Sequence, residues 1–258
     1  IIQSKQASNR IVLENIKSAI IEDYGNYSDN ERNLENLEAD TRISNVEKEL
    51  LQSSYKQGKK ISEIKERIKK GMPDAIQEKC PYCMLSEPTT LDHYLDKSSF
   101  PEYSVYAKNL VPCCSRCNSL KGSKFLSDNG KRIFISFYFD EIPQHPFLKI
   151  YIGIKDNIPY VKQITLMFEE EKEVNDIIEM HYAELKLFER YKLPISNRLS
   201  SLLYELKAYN GYSVDKLKEV IKIRIQITEK IYGNNFWETC LYRGVLENEE
   251  LLNLLCKK

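Results

Sequence analysis

Five of the seven cysteines fall between Cys80 and Cys117, arranged as Cys80-Pro81-Tyr82-Cys83 and Cys113-Cys114-Ser115-Arg116-Cys117. Two residues between thiolates is the span of a tight turn that aims both sulfurs inward. Cys80, Cys83, Cys114 and Cys117 are therefore expected to converge on one tetrahedral structural Zn2+. Cys113 is left over, since a partner at 116 is excluded by Arg116. A reduced compartment argues against a disulfide framework, and a thioredoxin-type redox site would need only one pair. A closed four-sulfur site has no open position for chemistry, so reactive groups must lie between and just after the pairs. There the chain reads Leu91-Asp92-His93-Tyr94-Leu95-Asp96-Lys97, then Asn109-Leu110-Val111-Pro112, with Asn118 directly after the last cysteine and Lys121-Gly122 beyond.

From about residue 79 to 125 this pattern resembles the HNH endonucleases. Their ββα-metal core runs Asp-His, then Asn-Leu, then Cys-x-x-Cys followed by His or Asn and a Lys-Gly step. The resemblance implies that Asp92 and Asn118 hold a catalytic divalent ion, that His93 is the general base, and that Asn109 positions His93 and its loop. Phosphodiester hydrolysis needs such a set: a base for the attacking water and a cation for charge on the phosphate and the leaving 3′ oxygen. An imidazole, with its pKa of ~6.5, can take that proton near neutral pH. Asn118 stands where many members have His, and an amide oxygen in place of an imidazole shifts the expected ion toward Mg2+ or Mn2+. Double-stranded DNA is the implied substrate, with Arg116, Lys121 and Lys124 facing phosphate. Together with Phe100-Pro101-Glu102-Tyr103, the stretch is similar to standalone bacterial HNH nucleases of anti-phage systems, often encoded beside an ATPase. An ATPase partner follows as an expectation.

Composition sets the bounds. The 258 residues are 42% hydrophobic and 29% charged, with 9 Gly and 9 Pro, as in an ordinary globular chain. No apolar run approaches a bilayer span and no basic-then-apolar leader is seen, so no membrane association is expected and the cytoplasm is the expected compartment. The 38 basic and 38 acidic side chains cancel, which argues against a chain that is polyanion-binding throughout. The balance is uneven: residues 51–125 carry 13 basic against 8 acidic side chains, including Lys56, Lys59, Lys60, Lys65, Arg67, Lys69 and Lys70. That run is either a local phosphate-binding footprint or a solvated helix face.

An α+β fold must position these groups. Apolar spacing of three and four predicts helices over 5–24 and 29–56 with a break at Gly25, and a shorter helix over 61–70 that stops at Gly71. Residues 132–142 alternate and read as a strand. Residues 148–155 and 160–168 flank Asp156-Asn157-Ile158-Pro159 as a hairpin. Helical periodicity returns in four pieces, 170–192, 196–209, 213–232 and 234–256, punctuated by Pro194, Gly211 and Gly233. The expected regions are a helical 1–75, a zinc-bearing ββα nuclease core at 76–126, a small sheet at 127–169, and a helical 170–258. Cys240 and Cys256 are expected as core thiols, His145 as a loop residue, and His181 as a helix histidine without a ligand role. Two other readings stay open at this point: a non-catalytic zinc module that binds nucleic acid, and a mainly helical interaction subunit with a structural zinc core.

Overall fold

The computed structural model describes residues 7–55, 59–208 and 211–256; Lys56 of the basic run lies outside them. Ten α-helices and two small antiparallel sheets are found among the described residues, a mixed α+β fold. The chain divides into two compact units, 1–140 and 141–258.

The first unit opens with α1 (Ala7–Asn15) and α2 (Lys17–Asp29). The break between them falls at Ile16, not at Gly25, which stays inside α2. An exposed glycine costs a helix about 1 kcal/mol relative to alanine and need not end it. The expected helix over 29–56 is shorter too. A 3-10 turn at Leu34–Asn36 precedes α3 (Asn45–Ser54), which starts where Ser44 and Glu47 form a reciprocal capping box. Leu13, Ile43 and Leu51 close a small core against Ile16, Ile20 and Leu50. Next comes α4 (Lys59–Lys70), ending at Gly71 as its stop signals predict.

Two four-residue strands follow, β1 (Thr90–His93) and β2 (Leu110–Cys113), paired antiparallel with Asp92 opposite Val111 and His93 opposite Leu110. The short α5 (Ser115–Lys121) comes directly after β2. Leu91 and Leu110 pack with Ile61 of α4, Tyr55 and Val105, and so seat one face of the hairpin.

The predicted strand over 132–142 is not formed. Ile133, Phe134 and Ile135 are buried in succession, whereas a half-buried strand would turn every second one outward. The segment then closes on itself: Ser136 N–H donates to the Asp140 carboxylate at 2.7 Å, and Asp140 N–H donates to the Ser136 carbonyl.

The second unit carries the predicted hairpin, β3 (Leu148–Lys155) and β4 (Ile158–Leu166). Asp156 and Asn157 have φ of 52° and 61°, the left-handed pair that a two-residue hairpin turn demands. Five helices follow where four were expected: α6 (Glu173–Glu184), α7 (Leu187–Lys207), α8 (Val214–Tyr232), α9 (Trp237–Leu246) and α10 (Glu249–Cys256). Pro194 does not break α7, because the buried stripe Leu187, Tyr191, Ile195, Leu199, Leu202 and Leu206 runs through it and outweighs one lost N–H bond. The interruption sits at Lys186, in the left-handed region with φ 52°. Gly244 of α9 lies directly on β3: a Cβ there would sit 2.0 Å from the Ile150 carbonyl oxygen. Cys240 and His181 are buried, while Cys256 is half-buried.

Candidate metal and catalytic site

The four cysteines singled out by spacing do converge. Cys80, Cys83, Cys114 and Cys117 are buried, and their sulfurs all lie within 4.8 Å of one another. Cys83 Sγ and Cys114 Sγ are 3.9 Å apart. A Zn–S bond near 2.3 Å puts the sulfurs of a tetrahedral site about 3.8 Å apart, so the Cys83–Cys114 pair is already at that separation and the set as a whole fits Zn2+ with a small inward shift. The first pair is held by a turn in which Cys83 N–H and Met84 N–H both donate to the Cys80 carbonyl, with Met84 at φ 52°. In the second pair Cys114 is the N-cap of α5 and its sulfur accepts from Cys117 N–H at 3.4 Å. Without a cation, the neighbouring thiols Cys117 and Cys83, together with burial, hold Cys80 far above the usual thiol range. A divalent ion supplies the charge that lets such thiolates form. Cys113 stays out of the cluster. Thr90 Oγ1 donates to its carbonyl at 2.9 Å, and burial pushes its thiol up to about 12.

Because α5 starts at Cys114, a metal held by the four cysteines would fix that helix against β1. Two contacts define the face: Asn118 Nδ2 donates to Thr90 Oγ1 at 3.2 Å, and Lys121 Nζ approaches Asp92 Oδ2 to 3.1 Å. Thr90 and Asp92 are two apart in a strand and so point the same way. Asp92 is enclosed at 2% exposure, and its Oδ2 also accepts from Tyr82 O–H at 2.7 Å. Burial pushes its carboxyl upward, while Lys121 and Tyr82 pull it back down.

Lys121 was expected to face phosphate, and the structure places it elsewhere. It has 0% exposure, and its ammonium donates to the His93 carbonyl at 2.8 Å as well as meeting Asp92. Helical spacing from Cys117 brings it under the strand, where a polyanion has no access. Arg116 and Lys124 are exposed.

His93 leaves β1 on the opposite face from Asp92. Its Nε2 lies 2.9 Å from the Ser104 carbonyl oxygen. A carbonyl only accepts, so Nε2 carries the proton and the lone pair resides on Nδ1. The Tyr55 ring meets the imidazole edge-on at 4.2 Å between centroids, and Tyr55 O–H donates to the Leu91 carbonyl. Burial pushes the His93 pKa down to about 4, against the opposing pull of the Ser104 bond. Burial thus favours the neutral imidazole, which has a lone pair to offer, but also makes it a weaker base than one poised near pH 7.

Asn109 is completely buried and clamps the loop that follows His93. Its Oδ1 accepts from Leu95 N–H at 2.8 Å, and its Nδ2 donates to the carbonyls of Leu95 at 3.0 Å and Tyr103 at 3.3 Å. The Tyr103 carbonyl precedes Ser104, so one amide ties both stretches of backbone that orient the imidazole. Tyr82, Tyr55 and Ser104 belong to the site but carry no signal in the sequence, since a tyrosine in a zinc turn or a lone serine carbonyl has no readable spacing.

Chain comparisons bear on this arrangement. The chain is 24% identical over 188 residues to Protein ea31 of Escherichia phage lambda, covering 67% of this chain and 63% of that protein. It is 31% identical over 88 residues to Septu protein PtuB of Bacillus thuringiensis, covering 32% of this chain and 34% of that protein. The chain thus spans less than two thirds of the length of these curated relatives. No family model and no solved structure matches it. Among the described residues, no helix is long and apolar enough to cross a membrane.

Proposed function

We propose that this chain is a metal-dependent endonuclease of the HNH type that hydrolyses double-stranded DNA, acting in anti-phage defence with an ATPase partner. The observation that supports the nuclease reading is the histidine geometry: the Nε2–H of His93 is held on the Ser104 carbonyl at 2.9 Å, which leaves the Nδ1 lone pair to accept a proton. The likeness to Septu protein PtuB supports the defence role. In this reading residues 76–126 are the nuclease core, 1–75 and 170–258 are helical flanks for partners, 127–169 is a small sheet region, and the protein works in the cytoplasm.

Asp92 of β1 and Asn118 of α5 would hold Mg2+ or Mn2+, oxygen donors that suit a hard cation. The charge balance is less favourable, because Lys121 already compensates Asp92, so a weak affinity is expected. Such an ion would supply charge stabilisation on the phosphate and the leaving oxygen. The protein's own part is defined by three contacts. His93 Nδ1 takes a proton from water, the Ser104 carbonyl keeps the ring in the tautomer that can do so, and Asn109 holds the backbone on either side of the loop through Leu95 and the Tyr103 carbonyl. Arg116 and Lys124 would contact phosphate from the outside of α5 and the turn after it.

The test is plasmid cleavage with Mg2+, Mn2+ or EDTA, beside a His93→Ala variant that retains one zinc per chain. Metal-dependent cutting is expected in the wild type, reduced at least about 100-fold in the variant. Equal cutting by both proteins would sink the mechanism. One observation favours a second reading, a non-catalytic zinc module that binds nucleic acid: the enclosure of Asp92 by Tyr82 and Lys121. That reading predicts DNA binding unchanged in His93→Ala and no cleavage with either metal and the partner ATPase present.

A further inference from the structure

Beside the four-cysteine cluster, the first unit contains a cavity of about 460 Å³ between the end of α4 with its following turn and the β2 strand. Ile68, Met72, Pro73 and Ile76 form one wall, and Val111, Pro112 and Phe137 form another. Pro81, from the turn between the first two zinc ligands, and Ala107 complete the lining. The polar tips there are few. Tyr138 also lines the cavity, but its hydroxyl is spent on the Leu110 carbonyl at 2.7 Å. The two charged lining residues are Arg67 and Lys108, both exposed, and no carboxylate joins them. Lys108 shares its charge with Glu31 at 3.5 Å, whereas Glu63, the acidic neighbour of Arg67, is paired with Lys60 at 3.0 Å, which leaves Arg67 the less compensated anchor for an anion.

Size, wall chemistry and charge restrict the occupant. A volume of this order is that of a pocket for one small molecule, mostly apolar with a few polar groups that set orientation. A nucleobase would bury hydrogen-bonding edges against walls that offer them no partners. A nucleic-acid backbone needs cations along its length, where these walls are carbon. An aryl or alkyl body ending in one anionic group satisfies both features, with the body against Met72, Val111 and Phe137 and the anion at Arg67.

We infer that this cavity is a binding site for a small anionic amphiphile, an aromatic or medium-chain carboxylate, sulfonate or phosphate monoester, oriented by Arg67 and Lys108. The site does not depend on the nuclease reading, since neither His93 nor Asp92 lines it.

The full-length zinc-loaded protein is titrated with 8-anilinonaphthalene-1-sulfonate and, separately, with N-phenyl-1-naphthylamine, the same ring system without the anion. The sulfonate is expected to bind saturably at one per chain, and Arg67→Glu to weaken it at least tenfold while changing the neutral probe less than twofold. Met72→Trp fills the cavity and is expected to abolish binding of both. If that variant loses zinc or melts early, Ala107→Leu takes its place, and Arg67→Glu, at an exposed position, decides the charge question regardless. Decanoate and phenyl phosphate, added as competitors, distinguish a carboxylate from a phosphate ligand. Absence of saturable binding, sulfonate affinity unchanged by Arg67→Glu, or probe fluorescence that survives the filling variant would each overturn the proposal.

Discussion

Lys121 is a fully buried ammonium whose partners are the Asp92 carboxylate and the His93 carbonyl. Burying an ion pair gains little net stability, yet removing one member strands the other charge at a cost of about 3–5 kcal/mol. Lys121→Met is therefore expected to lower the stability of the zinc-loaded protein by that order when no Mg2+ or Mn2+ is added, as read by urea unfolding. The same substitution clears the position that a divalent ion would otherwise share with an ammonium. Mn2+ should then raise the variant's unfolding midpoint more than the wild type's, because ligand binding to the folded state alone adds stability. A variant that Mn2+ does not stabilise would contradict the assignment of Asp92 as a cation ligand. None of this was visible in the residue spacing, where a lysine after a zinc cysteine reads as a surface cation. Only the three-residue step from Asn118, which puts both side chains against β1, turns it inward.

At the scale of elements, the loop from Tyr94 to Asn109 hangs from β1 and β2, and Asn109 is what closes it. Truncation to alanine leaves the Leu95 N–H and carbonyl unpaired in a buried place, at a cost of about 1–3 kcal/mol per lost partner, while the Tyr103 carbonyl keeps its bond from Tyr106 N–H. Asn109→Ala is expected to be destabilised by about 2–4 kcal/mol with zinc retained, measured by urea unfolding and metal analysis. A loss below 0.5 kcal/mol would show that the loop is held by other means. The sequence made some of these elements plain and hid others, for physical reasons. Four thiols at turn spacing, the Gly71 stop of α4 and the Asp156-Asn157 turn are local signals, and each appears in the structure. The pattern at 132–142 misleads because Ile133, Phe134 and Ile135 are buried by their surroundings on all sides, which mimics a strand. Pro194 misleads in the opposite sense, since the apolar stripe of α7 carries the helix past it. The Ser44-Glu47 capping box was readable and marks the true start of α3. The tautomer of His93 was not, because it depends on a backbone carbonyl eleven residues away.

At the scale of the whole molecule, the two compact units differ in what holds them. The first rests on small apolar clusters around Leu13, Ile43 and Leu51 and around Ile61, Leu91 and Leu110, joined to the four-cysteine site. The second has a continuous helical core on the β3–β4 hairpin, with no metal-ligating cluster among its described residues. Binding of a structural zinc contributes about 10–16 kcal/mol in small zinc modules, comparable to the entire stability of a domain at about 5–15 kcal/mol. Removing the metal should therefore unfold the first unit and spare the second. The single tryptophan, Trp237, lies on α9 in the second unit and serves as its probe. A strong zinc chelator is expected to release one zinc per chain and reduce far-UV ellipticity, while the Trp237 emission maximum stays at its folded wavelength. Release of no zinc would refute the four-cysteine assignment. A red shift of Trp237 in step with zinc release would mean that the second unit depends on the metal as well, and the two cores could no longer be treated as separately stable.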